Sequence, residues 1–336
     1  PLENNLLELW SQFQFLMPGF FGSRARFLRR YRTRLARAGV AADAMEQLRN
    51  RLRPFVLRRL KSDVDKELPP ITEVTMRCRM EPPQRRLYER VRNSYRTRVM
   101  AMVDDVGIER STFGVLEALL RLRQACCHPD LLPFDEAREV RTSAKTELFM
   151  TTVRQLIQEG RRILVFSQWT TMLKLLRDQL EGEGYECAYM DGSTRDRPTV
   201  IRGFQDPEGA RIFLISLKAG GVGLNLTAAD TVIHYDPWWN PAAEQQASDR
   251  AHRIGQTLPV LVLRLVVEDT VEDQILRLQD GKRALAKAAI EAEVDGVKTL
   301  NRADLEAIFA DPKGGKGGRG ETLGPPIQLG TSGGAT

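Results

Sequence analysis

The sequence predicts an α/β protein: a parallel sheet flanked by helices, preceded by a mostly helical region. Three observations predict it. From Lys145 onward, short apolar runs alternate with segments of helical periodicity. Short apolar strands separated by amphipathic helices belong to parallel sheets covered on both faces. Before Lys145, the apolar positions recur mainly at helical spacing. The composition is 42% hydrophobic over 336 residues, enough for two compact units or one large one, and it excludes wholesale disorder.

Each element has its own signal. Leu6, Leu9, Trp10, Phe13 and Leu16 fall at helical spacing over residues 6–17, and Pro18-Gly19 ends that helix. A run of Arg24, Arg26, Arg29, Arg30, Arg32, Arg34 and Arg37 follows without an acid and carries no assigned element. Gly39 interrupts, and a second helix is expected from Asp43 to Arg53. Val74 to Met80 alternates like a strand, and 83–102 and 113–126 read as helices ending near His128-Pro129. Strands are expected at Ile163–Phe166, Cys187–Met190, Ile212–Ser216, Thr231–Tyr235 and Val260–Val267. Between the first two, Thr170–Leu180 is helical, with Leu173, Leu176 and Leu180 on one side. A last helix is expected from Val271 to Glu293. After Asp311 the Gly/Lys- and Pro/Gly-rich tail has little apolar surface to bury and is expected to be disordered. There are no internal repeats.

The net charge is +6, unevenly placed. Residues 1–125 carry 25 Lys+Arg against 14 Asp+Glu, whereas the remainder carries 25 against 30. A basic first third points to a polyanion partner, although Arg-rich helices also serve simply as solvated faces. No apolar run approaches the ~18–20 residues needed to span a bilayer, no signal peptide is visible, and no membrane partner is expected. The four cysteines are Cys78, Cys126, Cys127 and Cys187. Adjacent Cys126 and Cys127 are not expected to pair, and the usage fits a reducing, intracellular compartment, either cytoplasm and nucleoid or nucleus.

The chemistry concentrates late in the chain. Arg250 and Arg253 are three residues apart, and on a helix that spacing puts both guanidiniums on one face. Arginine stays protonated and its planar fork matches phosphate oxygens, which suits charge developing on a transferring phosphate. Two arginines on a solvated helix face are the bland alternative. In parallel sheets, ligands bind beyond the carboxyl ends of the strands. Ser167 and Gln168, then Gly192, Ser193 and Thr194, then Lys218 to Gly223 fall at those ends. Hydroxyls, small residues and backbone N–H groups hold phosphates rather than read bases. Alone, Asp191-Gly192-Ser193-Thr194 reads as a plain turn, and Gly220-Gly221-Val222-Gly223 lacks the full dinucleotide pattern. Trp238-Trp239 fits core packing or a functional element, with one ring expected buried and one partly exposed. No metal site is expected: Cys126-Cys127-His128 has no second ligand pair at metal spacing. The three histidines make no case for a triad. Asp135-Glu136-Ala137-Arg138 looks superficially like an acidic box but follows Pro133 rather than a strand.

Several segments resemble, in order, the motifs of the Swi/Snf-type chromatin-remodelling ATPases of helicase superfamily two. Gln246-Ala247-Ser248-Asp249-Arg250-Ala251-His252-Arg253-Ile254-Gly255-Gln256 resembles the last motif. Ile163-Leu164-Val165-Phe166-Ser167-Gln168-Trp169 is similar to the fourth, and Tyr189-Met190-Asp191-Gly192-Ser193-Thr194 to the next. Ser216-Leu217-Lys218-Ala219-Gly220-Gly221-Val222-Gly223-Leu224-Asn225-Leu226 is similar to the fifth, and Asp236-Pro237-Trp238-Trp239-Asn240-Pro241 to its extension. Pro1-Leu2-Glu3-Asn4-Asn5 resembles the tail of the third motif, and Arg58-to-Val64 the link between lobes. The resemblance covers roughly residues 1–280.

The resemblance implies a RecA-like lobe at 145–280. Before it would come a remnant of the first lobe, with helical insertion and link, at 1–70, then a strand and helical protrusion at 71–144. A bracing helix at 281–310 and the tail at 311–336 would follow. It implies nucleotide contacts from Gly221, Gly223, Gln246, Asp249, Arg250 and Arg253, the two arginines touching the γ-phosphate as catalytic residues and Asp249 holding one of them. It implies DNA contacts from Ser167, Gln168, Gly192, Ser193, Thr194, Lys218, Gly220 and Trp239. Asn225 would order the loop, and His252 would be a structural hydrogen-bonding residue. ATP and Mg²⁺ would be bound mainly by the other lobe, because the chain has no G-x-x-x-x-G-K-[ST] loop and no credible acidic pair. The chain is therefore expected to be the second half of an ATP-dependent double-stranded-DNA translocase, partnered by duplex DNA and an N-terminal ATPase lobe of the same polypeptide, and inactive alone. A non-catalytic nucleic-acid-binding module and an RNA helicase lobe of the same superfamily are the alternatives.

Overall fold

The structure is a computed structural model. It describes residues 6–35, 41–56, 68–220, 223–238 and 241–274, with isolated positions 276, 305, 306 and 309 beyond. The expected helix to Glu293 is helical over 271–274, and most of its length, like the Gly-rich tail and the inter-lobe segment 58–64, lies outside the described residues. The chain divides into two compact units, Pro1–Glu67 and Leu68–Thr336.

The first unit holds three helices, α1 (Leu6–Leu16), α2 (Arg24–Leu35) and α3 (Ala41–Leu52). Helix α2 is the element that the arginine run concealed. Arginine is a good helix former, and Phe27 and Tyr31, one turn apart, supply the buried stripe that fixes it. They pack with Leu9, Phe13, Phe21 and Leu48 into an aromatic core. Phe13, Phe21, Phe27 and Tyr31 contact in sequence, with ring centroids about 5 Å apart.

The second unit carries one parallel sheet of six strands in the order β1-β6-β5-β2-β4-β3. The strands are β1 (Ile71–Cys78), β2 (Ile163–Ser167), β3 (Cys187–Met190), β4 (Ile212–Ser216), β5 (Thr231–His234) and β6 (Val260–Val267). Strands β2, β4 and β5 are buried along their whole length, as continuous apolar runs covered on both faces should be. The first strand starts three residues earlier than the alternation predicts. It runs in register with β6 from Ile71 opposite Val260 to Cys78 opposite Val267, so the partner sets its limits. As an edge strand it is largely exposed, which blurs its pattern.

Helices α4 (Pro82–Val106) and α5 (Ile108–Cys127) form a hairpin hinged at Gly107, whose φ of +78° is the left-handed turn a side chain would resist. Helix α5 begins five residues before the expected start. Leu87, Tyr88, Val91, Tyr95 and Val99 of α4 face Val115, Ala118, Leu119 and Leu122 of α5, and Val267, Val271, Leu305 and Phe309 close this core. Around the sheet lie α6 (Ala144–Gln158), α7 (Thr170–Gly182), α8 (Arg197–Gln205), the single turn α9 (Leu217–Gly220) and α10 (Pro241–Ser248). No helix among the described residues is long and apolar enough to cross a membrane.

One ion pair locks this arrangement. Lys145, fully buried in the first turn of α6, donates to both oxygens of Glu272 at 2.6 Å. Burial, the largest single influence, would depress the ammonium, but the facing Glu272 carboxylate leads the opposing influences, which together hold Lys145 above its ordinary range. Glu272 Oε2 also accepts from Val267 N at the end of β6 (3.1 Å). Removing one partner of such a pair strands the other charge, which costs about 3–5 kcal/mol, whereas an apolar replacement of both can be nearly neutral. Lys145→Met and Glu272→Leu should each lower unfolding stability by about that much, and the double variant by clearly less than the sum. Chemical denaturation of all four proteins checks this; additive losses would mean that the two charges do not depend on each other.

Candidate functional site

Because every strand is parallel, the carboxyl ends of β2, β3, β4 and β5 share one edge of the sheet. Ser167-Gln168-Trp169, Asp191-Gly192-Ser193-Thr194, Lys218 with Gly220, and Asp236-Pro237-Trp238 emerge there. Trp239 and Gly221 lie outside the described residues.

The loop after β3 is held from within. Asp191 accepts from Ser193 N (2.8 Å), Ser193 Oγ (2.6 Å) and Tyr189 Oη (3.0 Å), and its own N–H donates to Thr194 Oγ1 (3.0 Å). The Ser193 hydroxyl is the largest influence holding the Asp191 carboxyl below its usual range. Gly192 and Ser193 stay exposed on this rigid turn, and Thr194 is half-buried.

Ser167, which the resemblance places among the DNA contacts, is buried. It is 0% exposed, the last residue of a wholly buried strand, and its Oγ accepts from Trp169 N (3.1 Å). It shapes the loop from inside. Gln168 and Trp169 are half-buried, and Gln168 Nε2 and Trp169 Nε1 are buried atoms without a hydrogen-bond partner among the described residues. Lys218 is exposed in α9, with Ala219 N donating to Ser216 Oγ beneath it (3.3 Å).

Beneath this edge lies a node that the motifs do not announce. Asp236 is 1% exposed and accepts from Gln168 N with both oxygens (3.3 Å). Arg123 of α5 approaches it at 3.8 Å, donates to Pro237 O (3.2 Å) and lies 6.0 Å from the Trp169 ring. Burial pushes the Asp236 carboxyl up to about 6, although Arg123 and the Ser167 hydroxyl pull the other way. One carboxylate thus ties the loops after β2 and β5 to the helical hairpin. Nearby, Trp238 is half-buried and its N–H donates to Glu244 Oε1 (2.6 Å), while Glu244 pairs with Arg264 (2.7 Å).

The two arginines come together, but not on a helix. Helix α10 ends at Ser248, and tight turns follow: Arg250 N donates to Ala247 O, Ala251 N to Ser248 O and Arg253 N to Ala251 O. Gln256 imposes this course. Its Nε2 donates to Thr227 O, Ala229 O and Ala251 O, and its Oε1 accepts from Thr257 N and Leu258 N. Gly255, at φ +101°, makes the reversal possible. The turns nevertheless set Arg250 beside Arg253: burial first, then the Arg253 charge, lowers the Arg250 guanidinium, and Asp249 opposes them. Arg253 is exposed, with Nη1 3.4 Å from Gly223 O and 3.5 Å from Leu224 O. Leu226 N donates to Arg250 O, so the loop that carries Gly223 is stitched to the arginine loop. Gln246 is half-buried in α10, and Asp249 accepts from Gln245 Nε2 (3.3 Å). Asn225 enters the loop's order through its carbonyl, which accepts from Gln205 Nε2 (2.8 Å), while its side chain is exposed.

The remaining candidates are structural. His252 Nε2 donates to Pro69 O (2.8 Å). His234 is buried against Ser248 Oγ (2.9 Å), and burial followed by the Arg264 charge lowers it to about 3, so it stays neutral. His128 Nδ1 accepts from Asp130 N, and burial raises the thiols of Cys126 and Cys127. Among the described residues, no three His, Cys, Asp or Glu side chains stand together to hold a metal ion. Asp135 pairs with exposed Arg138 in a short 3₁₀ turn, away from any strand end.

The Asp236 node carries a pH signature. Its folded pKa of about 6 lies above the ordinary 3.8, so it favours the folded state below that value, and the contribution is lost as pH rises through about 6. Asp236→Asn should flatten this part of the stability curve, and Arg123→Gln should move the carboxyl titration upward. Carboxyl ¹³C titration by NMR checks both; a titration near 4, unmoved by Arg123→Gln, would refute the node.

Residues 145–255 match the helicase conserved C-terminal domain, and residues 1–131 match the SNF2-related domain. The chain is 36% identical over 309 residues to the human SWI/SNF-related matrix-associated actin-dependent regulator of chromatin subfamily A member 1, covering 87% of this chain and 28% of that protein. It resembles the Sulfolobus solfataricus SWI2/SNF2 ATPase core in complex with dsDNA, with a TM-score of 0.60 and 32% identity over 92% of this chain and 64% of that one. The Sulfolobus solfataricus SWI2/SNF2 ATPase C-terminal domain gives a TM-score of 0.57 and 30% identity over 71% of this chain and 97% of that one. The chain spans about a third or less of the length of the curated relatives it matches. With its parallel RecA-like sheet and these matches, the chain belongs to the Swi/Snf-type ATPases of helicase superfamily two.

Proposed function

We propose that this chain is the second motor half of an ATP-dependent double-stranded-DNA translocase of the remodelling type, acting inside the cell. The observation that carries the reading is the convergence of Arg250 and Arg253 at the loop of Gly223, on a lobe whose neighbouring edge offers small residues, Lys218 and backbone groups. Arg250 Nε is buried without a partner among the described residues, and Arg253 is exposed beside it, which suits a shared anion such as the γ-phosphate of ATP. The chain has no G-x-x-x-x-G-K-[ST] loop, so the β/γ-phosphates and Mg²⁺ would be held by a first ATPase lobe. Arg250 and Arg253 would then complete the site by stabilising charge on the transferring phosphoryl group. Gln246 and Asp249 flank the arginines and would help to position them.

DNA would lie along the carboxyl edge. Gly192, Ser193 and Thr194 on their braced turn, Gln168, Lys218 and Gly220 would contact the phosphate backbone, with Ser167 supporting Gln168 from below. Trp239 would join them. The orphaned Gln168 Nε2 is a donor that a phosphate oxygen would satisfy. Because Leu226 N bonds to Arg250 O, a change at the phosphate would be passed to the loop that carries Gly223. Tracking along a duplex needs such alternate grip and release, and it does not need strand separation.

In the full-length ATPase, Arg253→Ala should cut ATP turnover by about 10³-fold or more, the scale of arginine-finger losses. Its exposed side chain makes a folding defect an unsuitable explanation. Steady-state phosphate release checks this, and wild-type turnover in the variant would reject the assignment.

A further inference from the structure

Helix α2 presents a charged surface that the site above does not use. Six of its twelve residues are arginine, and no acid interrupts it. Its apolar side is already spent: Phe27 and Tyr31 are buried in the core of the first unit. Arg26, Arg29 and Arg30 stand at i, i+3 and i+4 on another face, and all three are exposed. Like charges at that spacing weaken a helix, so helix stability does not account for them. Some surface arginines elsewhere are paired, as Arg79 is with Glu268 and Arg154 with Glu183. Among the described residues, Arg26 and Arg29 have no carboxylate within ion-pair distance, and Arg30 only lies 5.8 Å over the Tyr31 ring.

We propose that the arginine face of α2 is a further duplex-DNA contact, which holds the phosphate backbone without reading bases. The proposal rests on the reading that the protein works on duplex DNA. Charge complementarity selects the occupant. Arg26 to Arg30 spans about 6 Å of helix axis, and duplex DNA presents one negative charge about every 1.7 Å of its own axis. Guanidinium forks match phosphate oxygens better than ammonium groups do. A membrane surface is disfavoured, because an interfacial helix must expose its apolar face, and that of α2 is buried.

The test is duplex binding by the whole chain across a salt series, for the wild type, R26Q/R29Q/R30Q, R26K/R29K/R30K and K218Q. Each phosphate contact contributes about 0.9 to the slope of log affinity against log salt. The triple glutamine variant should lose about 2–3 from that slope and bind more weakly at low salt, while the triple lysine variant keeps most of the slope. R29Q alone should lose about 0.9, which keeps the test decisive should the triple variant unfold. Glutamine variants with wild-type slope and affinity would overturn the proposal. If K218Q weakens binding while the α2 variants do not, only the α2 contact fails. If the wild type binds no duplex, the functional reading fails and the α2 contact with it.

Discussion

A carboxylate cannot be buried beside a sheet unless something answers its charge, and two such answers organise this protein. Glu272 sits past β6 because Lys145 meets it from α6, with neither charge open to water. Asp236 sits past β5 because Arg123, the Gln168 N–H and the Ser167 hydroxyl surround it. Each pair joins a helix to the carboxyl end of a strand. The two are also linked: Tyr235, next to Asp236, bonds to Thr146 and to Cys127 O, one residue from Lys145 and one from His128. Desolvation makes each charge intolerant of a missing partner, so the helical hairpin and the sheet hold one geometry.

That rigidity is what the loops need. Exposed groups that hold phosphates act by position, since hydroxyls and N–H groups must be aimed before the ligand arrives. The turn after β3 is aimed by Asp191, the loop after β2 by Asp236, and the arginine loop by Gln256. In each case a buried polar side chain saturates backbone groups and leaves the outward face available. The arginine loop and the loop of Gly223 are joined by the bond from Leu226 N to Arg250 O and by the approach of Arg253 Nη1 to Gly223 O, the short mechanical path that the proposed function would use.

Much of this was legible in the sequence. Cys187–Met190, Ile212–Ser216 and Val260–Val267 are strands with the limits their apolar runs predict, and Ile212–Ser216, covered on both faces, reads as an uninterrupted run. The motif order identified the family, since local sequence fixes local loop chemistry. What escaped depends on distant partners. The limits of β1 are set by β6, which lies far along the chain. Arg123 and Pro237 are separated by 114 residues, and nothing local marks either as part of a node. Helix α2 was hidden because a dense arginine run masks the two aromatic residues that make it amphipathic. The arginine pair was placed on a helix by its spacing, whereas Gln256 draws the chain into turns that no spacing rule anticipates.

The central claim is that this lobe couples duplex DNA to a split nucleotide site. The most direct measurement is ATP hydrolysis by the full-length ATPase and by this chain, each without nucleic acid and with duplex DNA, single-stranded DNA or RNA. The account predicts turnover stimulated by the duplex in the full-length protein and none by the chain alone. No stimulation by duplex, or turnover by the chain itself, would contradict it.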